Sequence, residues 1–381
     1  MEQKRIYLDH AATTPLKKEV LDEMLPYLTT YYGNPSSGYS IGKESKKALE
    51  HARERVANAI HANENEIFFT SGGTEADNWA LRGAAYQNAH KGKHIITTSI
   101  EHHAVLHTCR QLEKEGFEVT YLPVDKFGFL PIQQVAEAIR TDTILLSVMA
   151  ANNEIGTLQP IREIGELADK NGIYFHTDAV QTAGNIKVDV NELPVDLLSV
   201  SGHKFYGPKG VGALYIRNGV EIQPYMNGGG QERYKRAGTE NVAGIVGMGK
   251  AMEIAAQGLT DHPSHVIYLR DKMIQYILQK IPFTQLNGHP TKRLPGNVNI
   301  SFQFVEAASL LILLDKKGIA ASSGSACSSA SSEPSHVLHA IGLSDELAHS
   351  SLRFSLGEEN TEEEVDHFLT VLTELVAELR R

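Results

Sequence analysis

The stretch Ser199-Val200-Ser201-Gly202-His203-Lys204-Phe205-Tyr206-Gly207-Pro208-Lys209-Gly210 is the one around which the rest of this sequence is organised. The hydrophobic run from Val195 to Val200 predicts a buried strand, and Gly207-Pro208 predicts the loop after it. A lysine at the end of a buried strand is poorly hydrated, which lowers the pKa of its amine and makes it a usable nucleophile. Lys204 is therefore a candidate catalytic lysine, although an exposed lysine entering a turn would give the same local pattern.

Strand and helix patterns alternate on both sides of this stretch. Strand candidates lie at residues 67–69, 94–98, 118–122, 143–149, 173–177, 197–200 and 212–216, with helical patterns between most of them. Some of these strands are apolar on both faces, which is typical of a parallel sheet covered by helices on both sides. The sequence therefore predicts an α/β fold with a mainly parallel seven-stranded sheet.

The regular alternation of predicted strands and helices ends near residue 258. Helical patterns over 239–256 and 264–280 precede a strand at 297–302, a helix at 307–317, a Ser-rich loop, a strand at 352–355 and a closing helix over 361–379. We expect a large domain over residues 16–258. A smaller α+β domain would combine residues 1–15 with residues 259–381 and carry the Ser-rich loop.

Composition excludes several classes of protein. The chain has 381 residues, 41% hydrophobic and 22% charged, with a formal net charge of −10, which disfavours direct binding to nucleic acid or to an anionic membrane. No apolar run is long enough to cross a bilayer, and the N-terminus lacks the apolar core of a signal peptide. The two cysteines, Cys109 and Cys327, make no disulfide framework, so we expect a cytoplasmic protein.

Three chemical groups follow three of the predicted strands. Gly72 and Gly73 lie between a strand and a helix, where backbone N–H groups can hold a phosphate, although such turns also occur without a ligand. Asp178 ends a strand and could hold a ring nitrogen protonated, or simply cap a helix. Together with Lys204 these are the groups that pyridoxal 5'-phosphate requires, namely a Schiff-base lysine, a partner for the pyridinium nitrogen and a phosphate site.

A histidine-rich segment follows the strand at 94–98. His102, His103, His107 and Cys109 could suggest a metal centre, but their spacing matches no recognised zinc motif, so we expect no metal site. We interpret His102 as an aromatic ring that stacks on a cofactor and moves protons, with a surface histidine as the alternative.

The Ser-rich segment at 322–332 contains the second cysteine. Its small polar residues predict an exposed loop, where Cys327 could become a nucleophilic thiolate or could be an incidental cysteine in a linker. Cys109 lies in an amphipathic helical pattern and is interpreted as structural. Two further candidates could bind an anion. One is the segment 228–241, which contains Arg233 and Arg236, and the other is Arg353. Each of these arginines could instead be a solvated surface residue.

Taken together, these residues resemble the cysteine desulfurases of the NifS and IscS kind, which are fold-type I pyridoxal-phosphate enzymes. The resemblance covers nearly the whole chain through LDHAATTP (8–15), GNPSS (33–37), TSGGTEADN (70–78), EH (101–102), NNEIG (152–156), HTDAVQ (176–181), SGHK (201–204), RAGTEN (236–241), SGSAC (323–327) and RFS (353–355). The order and combination of these motifs are far more specific than any one of them.

The resemblance implies a role for each matching residue. Lys204 would hold the cofactor covalently, Asp178 would pair with the pyridinium nitrogen, Gln181 would reach the ring hydroxyl and His102 would stack on the ring. The phosphate would be held by Gly73, Thr74, Ser201 and His203, and by Thr239 from the neighbouring subunit of a homodimer. The substrate would be bound by Asn34, Asn153 and Arg353. Cys327 would accept the sulfur as a persulfide, and at most would be a transient iron–sulfur ligand.

The implied reaction removes sulfur from L-cysteine, gives L-alanine and passes the persulfide sulfur to an acceptor protein. Relatives often extend further after the last helix, with a tail that helps to dock an iron–sulfur scaffold, so a tRNA-thiolating enzyme is an alternative acceptor here. Tyr39 and His10 depart from residues common in the family, which affects the expected contacts at the edge of the substrate site.

Two other functions compete with this one. A selenocysteine lyase or an aminotransferase would share the fold, but an aminotransferase needs no thiol like that of Cys327. A non-catalytic metal or iron–sulfur carrier would rely on Cys327 and the segment 102–109, and two isolated cysteines make a poor cluster site.

Overall fold

A computed structural model describes residues 5–259, 262–323 and 334–381. In chain order its strands are β1 (Ile6–Tyr7), β2 (Ile67–Thr70), β3 (His94–Thr98), β4 (Glu118–Leu122), β5 (Thr143–Ser147), β6 (Tyr174–Asp178), β7 (Leu197–Ser201), β8 (Gly212–Ile216), β9 (Thr284–Leu286), β10 (Asn297–Phe302), β11 (Ile319–Ala320) and β12 (Ser351–Ser355). Its helices are α1 (Lys18–Thr29), α2 (Ser40–Ala59), α3 (Gly73–Asn88), α4 (His103–Lys114), α5 (Ile132–Ala138), α6 (Ile161–Lys170), α7 (Val242–Gly258), α8 (His262–Lys280), α9 (Ala307–Lys316), α10 (His336–Ala340), α11 (Asp345–His349) and α12 (Glu362–Leu379).

The main sheet has seven strands in the order β2-β8-β7-β6-β5-β3-β4. The strands β7, β6, β5, β3 and β4 pair in parallel, and β8 pairs antiparallel with both β7 and β2. Six strands therefore run in one direction and β8 runs against them. The predicted α/β fold with a mainly parallel seven-stranded sheet is confirmed.

Both faces of this sheet are buried, as the doubly apolar strands require. Alternate residues of a strand point to opposite faces, and accordingly Leu198 packs in one hydrophobic cluster with α2, α6 and α7 while Leu197 packs in another with α3 and α4. Burial on both faces explains why these strands read as continuous apolar runs rather than as alternating ones.

A separate hydrophobic cluster joins the start of the chain to its C-terminal part. Ile6 and Leu8 pack with buried residues of α8, β10, α9, β12 and α12. The strand β1 pairs in parallel with β11, and β12 pairs with β10. This grouping is consistent with the expected small domain, whose boundaries at residues 15 and 259 stay a prediction.

The structure differs from the sequence-based expectations mainly at short elements and at helix ends. β9 and β11 were not expected, nor were the short helices α10 and α11. The helix expected from residue 239 begins at Val242, because the side chain of Asn241 caps it by accepting a hydrogen bond from Gly244 N. In the described part of the chain, no helix is both long and apolar enough to cross a membrane.

Candidate active site

The carboxyl ends of the parallel strands surround a cavity of about 250 Å³. Segments that follow β2, β3, β5, β6 and β7 line it, as expected for a ligand site in an open α/β sheet. The side chains that border it include His102, Asn153, Asp178, Gln181, His203, Lys204 and Arg353. Most of the residues singled out from the sequence therefore meet at one place.

Lys204 ends a single 3-10 turn that follows β7 directly. It is half-buried, and its Nζ donates to the backbone carbonyls of Ala11 at 2.6 Å and Ala12 at 2.7 Å. The alternative of an exposed lysine entering a turn is therefore wrong. Instead, the amine is oriented by the segment that precedes α1.

Asp178 is the last residue of β6 and is buried. Its Oδ1 accepts a hydrogen bond from Val180 N at 2.8 Å, but no α-helix begins there, so it is not the helix cap considered above. Burial raises the pKa of Asp178 to about 6. A bound cation would oppose this shift, which is the property required of a group that pairs with a protonated ring nitrogen.

Gln181 lies three residues further along the chain and is also buried. Its Nε2 donates to the carbonyl of Ala11 at 3.0 Å. The same carbonyl accepts from Lys204, so the amine and the amide are held side by side at the cavity wall.

The predicted phosphate end is formed by the start of α3 and by the segment after β7. A Cβ added to Gly73 would lie 2.7 Å from Val180 Cγ2 and 3.5 Å from Ser201 Cβ, so only glycine leaves this cradle open. The first turn of α3 has N–H groups that no helical carbonyl accepts, and these can hold an anion. Thr74 and Ser201 line the same cavity.

His203 also borders this cavity. Its Nδ1 lies 3.1 Å from Thr13 Oγ1. Burial, with Lys204 and Lys209 nearby, lowers the pKa of His203 to about 4. The imidazole is therefore neutral at physiological pH, and it can offer a hydrogen bond to an anion without adding a charge.

His102 immediately precedes α4 and caps it, because its Nδ1 accepts a hydrogen bond from Ala104 N at 3.1 Å. Burial and the nearby Lys204, His336 and His107 lower the pKa of His102 to about 4.

The neighbouring ring of His103 lies between two others, 4.9 Å from that of His107 and 4.8 Å from that of His336. Within the ranges that the structure describes, no three or more histidines, cysteines and carboxylates are placed to share a metal ion.

Arg353 is buried on β12 and borders the cavity. Its Nη2 donates to Asp9 Oδ1 at 2.7 Å, and its Nη1 donates to the carbonyl of Asn153 at 3.1 Å. The alternative of a solvated surface arginine is therefore wrong for Arg353. These contacts fix the guanidinium beside Asn153, with which it was predicted to bind a carboxylate.

Two predicted site residues lie elsewhere in their own chain. Asn34 is exposed, and its side chain accepts a hydrogen bond from Ser36 N at 2.9 Å. Thr239 is also exposed and does not border the cavity. The role of Thr239 was predicted for a neighbouring subunit, so its position here neither supports nor opposes it.

The arginines of the segment 228–241 have structural partners. Arg236 pairs with Glu75 through Nε at 2.7 Å and Nη2 at 3.0 Å, and Arg233 donates to the carbonyl of Ile67 at 2.6 Å. Arg236 therefore ties this segment to α3, and Arg233 ties it to β2.

Only one of the two cysteines lies among the described residues. Cys327 lies outside the described residues. Cys109 is fully buried under the sheet in the cluster with Trp79 and Val105. Burial raises the pKa of the Cys109 thiol, which makes it unreactive, in agreement with its interpretation as structural.

Sequence reasoning missed a carboxylate beneath the cavity. Asp77 is buried on α3, and its Oδ1 lies 3.5 Å from Nε2 of the buried His176. Burial and the nearby Asp178 raise its pKa well above the ordinary range. A carboxylate between Ala76 and Trp79, on the apolar side of a helix that must cover a sheet, was the signal that could have identified it.

A second missed group lies at the other end of the cavity. Glu154 is buried, and its Oε2 accepts a hydrogen bond from Ser335 Oγ at 2.5 Å. His336, the next residue, lies with its Nε2 3.0 Å from the carbonyl of Glu101. These two contacts hold the chain where the described residues resume at 334. The sequence could not reveal these contacts, because the two residues of the first are separated by 181 positions and those of the second by 235.

The residues around the cavity fit pyridoxal 5'-phosphate. The open cradle at Gly73, the buried carboxyl of Asp178 and the amine of Lys204 supply a phosphate site, a partner for the ring nitrogen and a nucleophile for the aldehyde. Gln181 and His102 border the space between them.

Comparisons with known proteins agree with this geometry. The family model described as aminotransferase class-V matches residues 6–368. The curated protein named cysteine desulfurase IscS from Methanosarcina thermophila is 60% identical over 379 residues, which cover 100% of this chain and 94% of the relative. A solved structure titled NifS-like protein has a TM-score of 0.92 at 41% identity, covering 98% of this chain and 99% of its own. Another, titled SspA in complex with cysteine, has a TM-score of 0.82 at 38% identity, covering 93% and 100%.

Proposed function

Because this chain belongs to the class-V aminotransferase family, we propose that it is a pyridoxal-phosphate-dependent cysteine desulfurase, which removes sulfur from L-cysteine and leaves L-alanine. The observation that carries the proposal is the meeting of Lys204 and Asp178 at one cavity, in a chain similar over its whole length to a cysteine desulfurase. The relative bound to cysteine supports the same substrate.

The resemblance assigns the cofactor-holding residues, and all of them except Thr239 border the cavity. Lys204 would hold the cofactor, Asp178 would pair with its ring nitrogen and Gln181 would reach its ring hydroxyl. Gly73, Thr74, Ser201 and His203 would hold the phosphate, and Thr239 of a second subunit would complete that site. When bound, the cofactor supplies an electron-withdrawing ring that accepts the electron pair left at the substrate's α-carbon.

The chain's own groups bind the substrate and move its proton. Arg353 and Asn153 orient the substrate carboxylate, since the guanidinium is already fixed by Asp9 and by the carbonyl of Asn153. Asn34 does not border the cavity of its own chain, and the resemblance alone proposes it as a third contact to substrate. The Nζ of Lys204 takes the proton from the α-carbon and later returns a proton, as a positioned amine can.

Cys327 is the proposed sulfur acceptor. Its thiolate attacks the substrate sulfur, the carbon–sulfur bond breaks, and the released carbon takes up a proton to become the methyl group of alanine. L-cysteine and the thiolate thereby become alanine and a persulfide anion, with atoms and charge conserved. An acceptor protein, either an iron–sulfur scaffold or a tRNA-thiolating enzyme, would receive the sulfur in the cytoplasm.

We also propose that the enzyme is a homodimer. Leu21, Leu25 and Leu28 are exposed large apolar side chains, spaced so that they share one side of α1, and the exposed Tyr32 follows shortly after this helix ends. A second copy of this chain would cover them, as exposed apolar stripes of this length commonly mark interfaces.

The test measures cofactor retention and alanine release from L-cysteine in the wild type, Lys204→Ala and Lys209→Ala. Lys209 is an exposed lysine on the same loop and serves as the matched control. We expect Lys204→Ala to lose covalently held cofactor and to lower alanine release by about 10²- to 10⁴-fold, while Lys209→Ala stays close to wild type. Alanine release at the wild-type rate from Lys204→Ala would refute the proposal.

A further inference from the structure

Three consecutive residues near Thr239 have an unusual backbone conformation. Glu232, Arg233 and Tyr234 have φ angles of 43°, 57° and 64°, in the left-handed region that residues with a side chain rarely adopt. Such a conformation persists only where neighbouring contacts maintain it. We call residues 231–241, which contain both these residues and Thr239, the threonine segment.

A buried ion pair holds the strained end of the threonine segment. The carboxylate of Glu232 accepts from Arg53 Nη1 at 2.8 Å and from Arg53 Nη2 at 3.0 Å, and the side chains of Glu232 and Arg53 are only 3% and 5% exposed. Two parallel hydrogen bonds between planar groups fix orientation as well as distance. Because breaking a buried pair leaves an uncompensated charge, this contact strongly favours a single conformation of the segment.

The same carboxylate covers the edge of the main sheet. β2 is the edge strand, and its Phe69 N donates to Glu232 Oε2 at 2.9 Å. The carbonyl of Ile67 accepts from Arg53 at 2.8 Å and from Arg233 at 2.6 Å. Since β2 is already fixed by its pairing with β8 along its whole length, the strand is the support, and the threonine segment is the part that these contacts hold.

The rest of the threonine segment is fixed as well. Arg236 is paired with a carboxylate of α3, and Gly238 N donates to Gln231 Oε1 at 3.1 Å. The side chain of Asn241 then caps α7. Thr239 lies between these contacts and is exposed. The segment therefore presents an exposed threonine on a backbone that is held at both ends.

We propose that Glu232 is a positioning residue for the cofactor site of the partner subunit. Neither Glu232 nor Arg53 borders the cavity of its own chain, but together they fix the threonine segment, whose Thr239 then reaches the phosphate in the second chain. A hydroxyl on a rigid backbone loses less conformational entropy on binding than one on a free loop, so the ion pair strengthens the hold on the phosphate. The inference rests on the proposed function, which assigns Thr239 to that site.

The alternative is that Glu232 acts only within its own chain. β2 leads to the cradle at Gly73, so the contact between Phe69 N and Glu232 would support the phosphate end of the same subunit. The two possibilities differ in which subunit loses affinity for the cofactor when Glu232 is changed. Dimers whose two chains carry different substitutions separate them.

The test uses heterodimers that are purified through a different tag on each chain. In the first heterodimer, one chain carries Lys204→Ala and the other carries Glu232→Gln. In the second, one chain carries both substitutions and the other is wild type. Only a site with Lys204 can be fixed to the cofactor by borohydride, so each heterodimer reports a single site. The amount fixed at increasing cofactor concentration gives the dissociation constant of that site.

We expect the first heterodimer to bind the cofactor as the wild type does, because its reporting site receives Thr239 from a chain with an intact Glu232. In the second heterodimer Thr239 comes from the Glu232→Gln chain, and the dissociation constant should rise by about 10- to 100-fold, the effect of one hydrogen bond to an anion. The exposed Glu64 provides the matched control, and Glu64→Gln should leave both pairings at wild-type affinity. Wild-type affinity in both heterodimers with Glu232→Gln, or weak binding in the first alone, would overturn the inference.

A second variant covers the case in which Glu232→Gln weakens both heterodimers because its chain folds poorly around an unpaired Arg53. Arg53→Lys keeps a cation beside Glu232 but loses the two-point geometry, and it is placed in the same two pairings. Equal dissociation constants in these two pairings, whether strong or weak, would show that the ion pair does not act across the dimer and would overturn the inference. A wild type that binds no cofactor would refute the proposed function itself.

Discussion

Gly73 leaves no room for a side chain at the start of α3. A Cβ there would approach Val180 Cγ2 to 2.7 Å, and overpacking of this kind typically costs about 1–3 kcal/mol. We predict that Gly73→Ala weakens cofactor binding by at least about tenfold, since a shift of Val180 or of the helix start disturbs the phosphate cradle. Titration of cofactor-free protein, followed by fluorescence, measures the dissociation constant.

The control for Gly73 is Gly38→Ala. An added Cβ at Gly38 meets nothing within 4 Å, so this variant should bind cofactor as the wild type does. Equal dissociation constants for Gly73→Ala and Gly38→Ala would show that the glycine cradle is not the phosphate site.

Asp178 gives the cofactor-free protein a pH-dependent stability. Burial raises its pKa from about 4 in the unfolded chain to about 6, so the folded chain keeps a proton that the unfolded chain releases in this interval. The free energy of unfolding should therefore fall as pH rises from about 4 to about 6, by roughly 2–3 kcal/mol from this group. Asp178→Asn should remove that part of the slope, measured by urea unfolding at several pH values.

The exposed Asp169 on α6 provides the comparison. Asp169→Asn should leave the slope unchanged. If Asp178→Asn and Asp169→Asn follow the same pH dependence as the wild type, folding does not raise the pKa of Asp178 and our interpretation of its buried site is wrong.

The sequence was informative about residues that follow long strands and uninformative about contacts made by the backbone. Lys204 and Asp178 could be predicted as neighbours because parallel strands place their carboxyl ends at one edge. The carbonyls of Ala11 and Ala12, which hold Lys204, carry no side-chain signature. Asp77 was missed because a carboxylate on a helix is usually solvated, whereas here α3 buries it.

The segment that precedes α1 holds the loop around Lys204, from His203 to Tyr206, in place. Thr14 is buried, donates from Oγ1 to the carbonyl of His203 at 3.0 Å, and accepts at the same oxygen from Tyr206 N at 2.7 Å. Tyr206 has a φ of 64°, a strained conformation for a non-glycine residue that neighbouring contacts must maintain. The hydroxyl of Thr14 is therefore a central contact between two distant parts of the chain.

We predict that Thr14→Val lowers the free energy of unfolding by about 1–3 kcal/mol, because it leaves a buried N–H without a partner. The change keeps the shape of the side chain, so packing is little affected. Thr370→Val removes an exposed hydroxyl that bonds only to Asp366 O of its own helix and should cost far less. Equal losses in chemical denaturation would contradict the role given to Thr14.

The elements that the sequence predicted well are the long ones with a clear period. β3, β4, β8 and β10 have the expected bounds. β1 and β11 have two residues each, and within the described ranges they pair as strands only with one another. Such short strands are produced by tertiary contact and have no periodicity of their own to detect.

At the scale of the whole molecule, the exposed apolar side chains of α1 predict how copies associate. Leu25 and Leu28 are 46% and 60% exposed. If a second copy covers them, Leu25→Glu should convert a dimer to a monomer and reduce cofactor retention, since the phosphate site would lose Thr239 of the other subunit. Analytical ultracentrifugation measures the change.

The control is an exposed leucine on α8, away from α1. Leu278 on α8 is similarly exposed, at 42%, and Leu278→Glu should remain a dimer. A wild type that sediments as a monomer, or a Leu25→Glu variant that remains a dimer, would show that this stripe has another role.

The measurement that tests the central claim most directly is a single turnover with L-cysteine and no sulfur acceptor, followed by peptide mass spectrometry. The proposed function predicts one alanine per chain and one additional sulfur atom on the peptide that contains Cys327, with none on the peptide that contains the buried Cys109. In Cys327→Ser the alanine should be lost while the cofactor is retained. Alanine formed at the same rate in Cys327→Ser, or formed without an added sulfur on Cys327, would contradict the account.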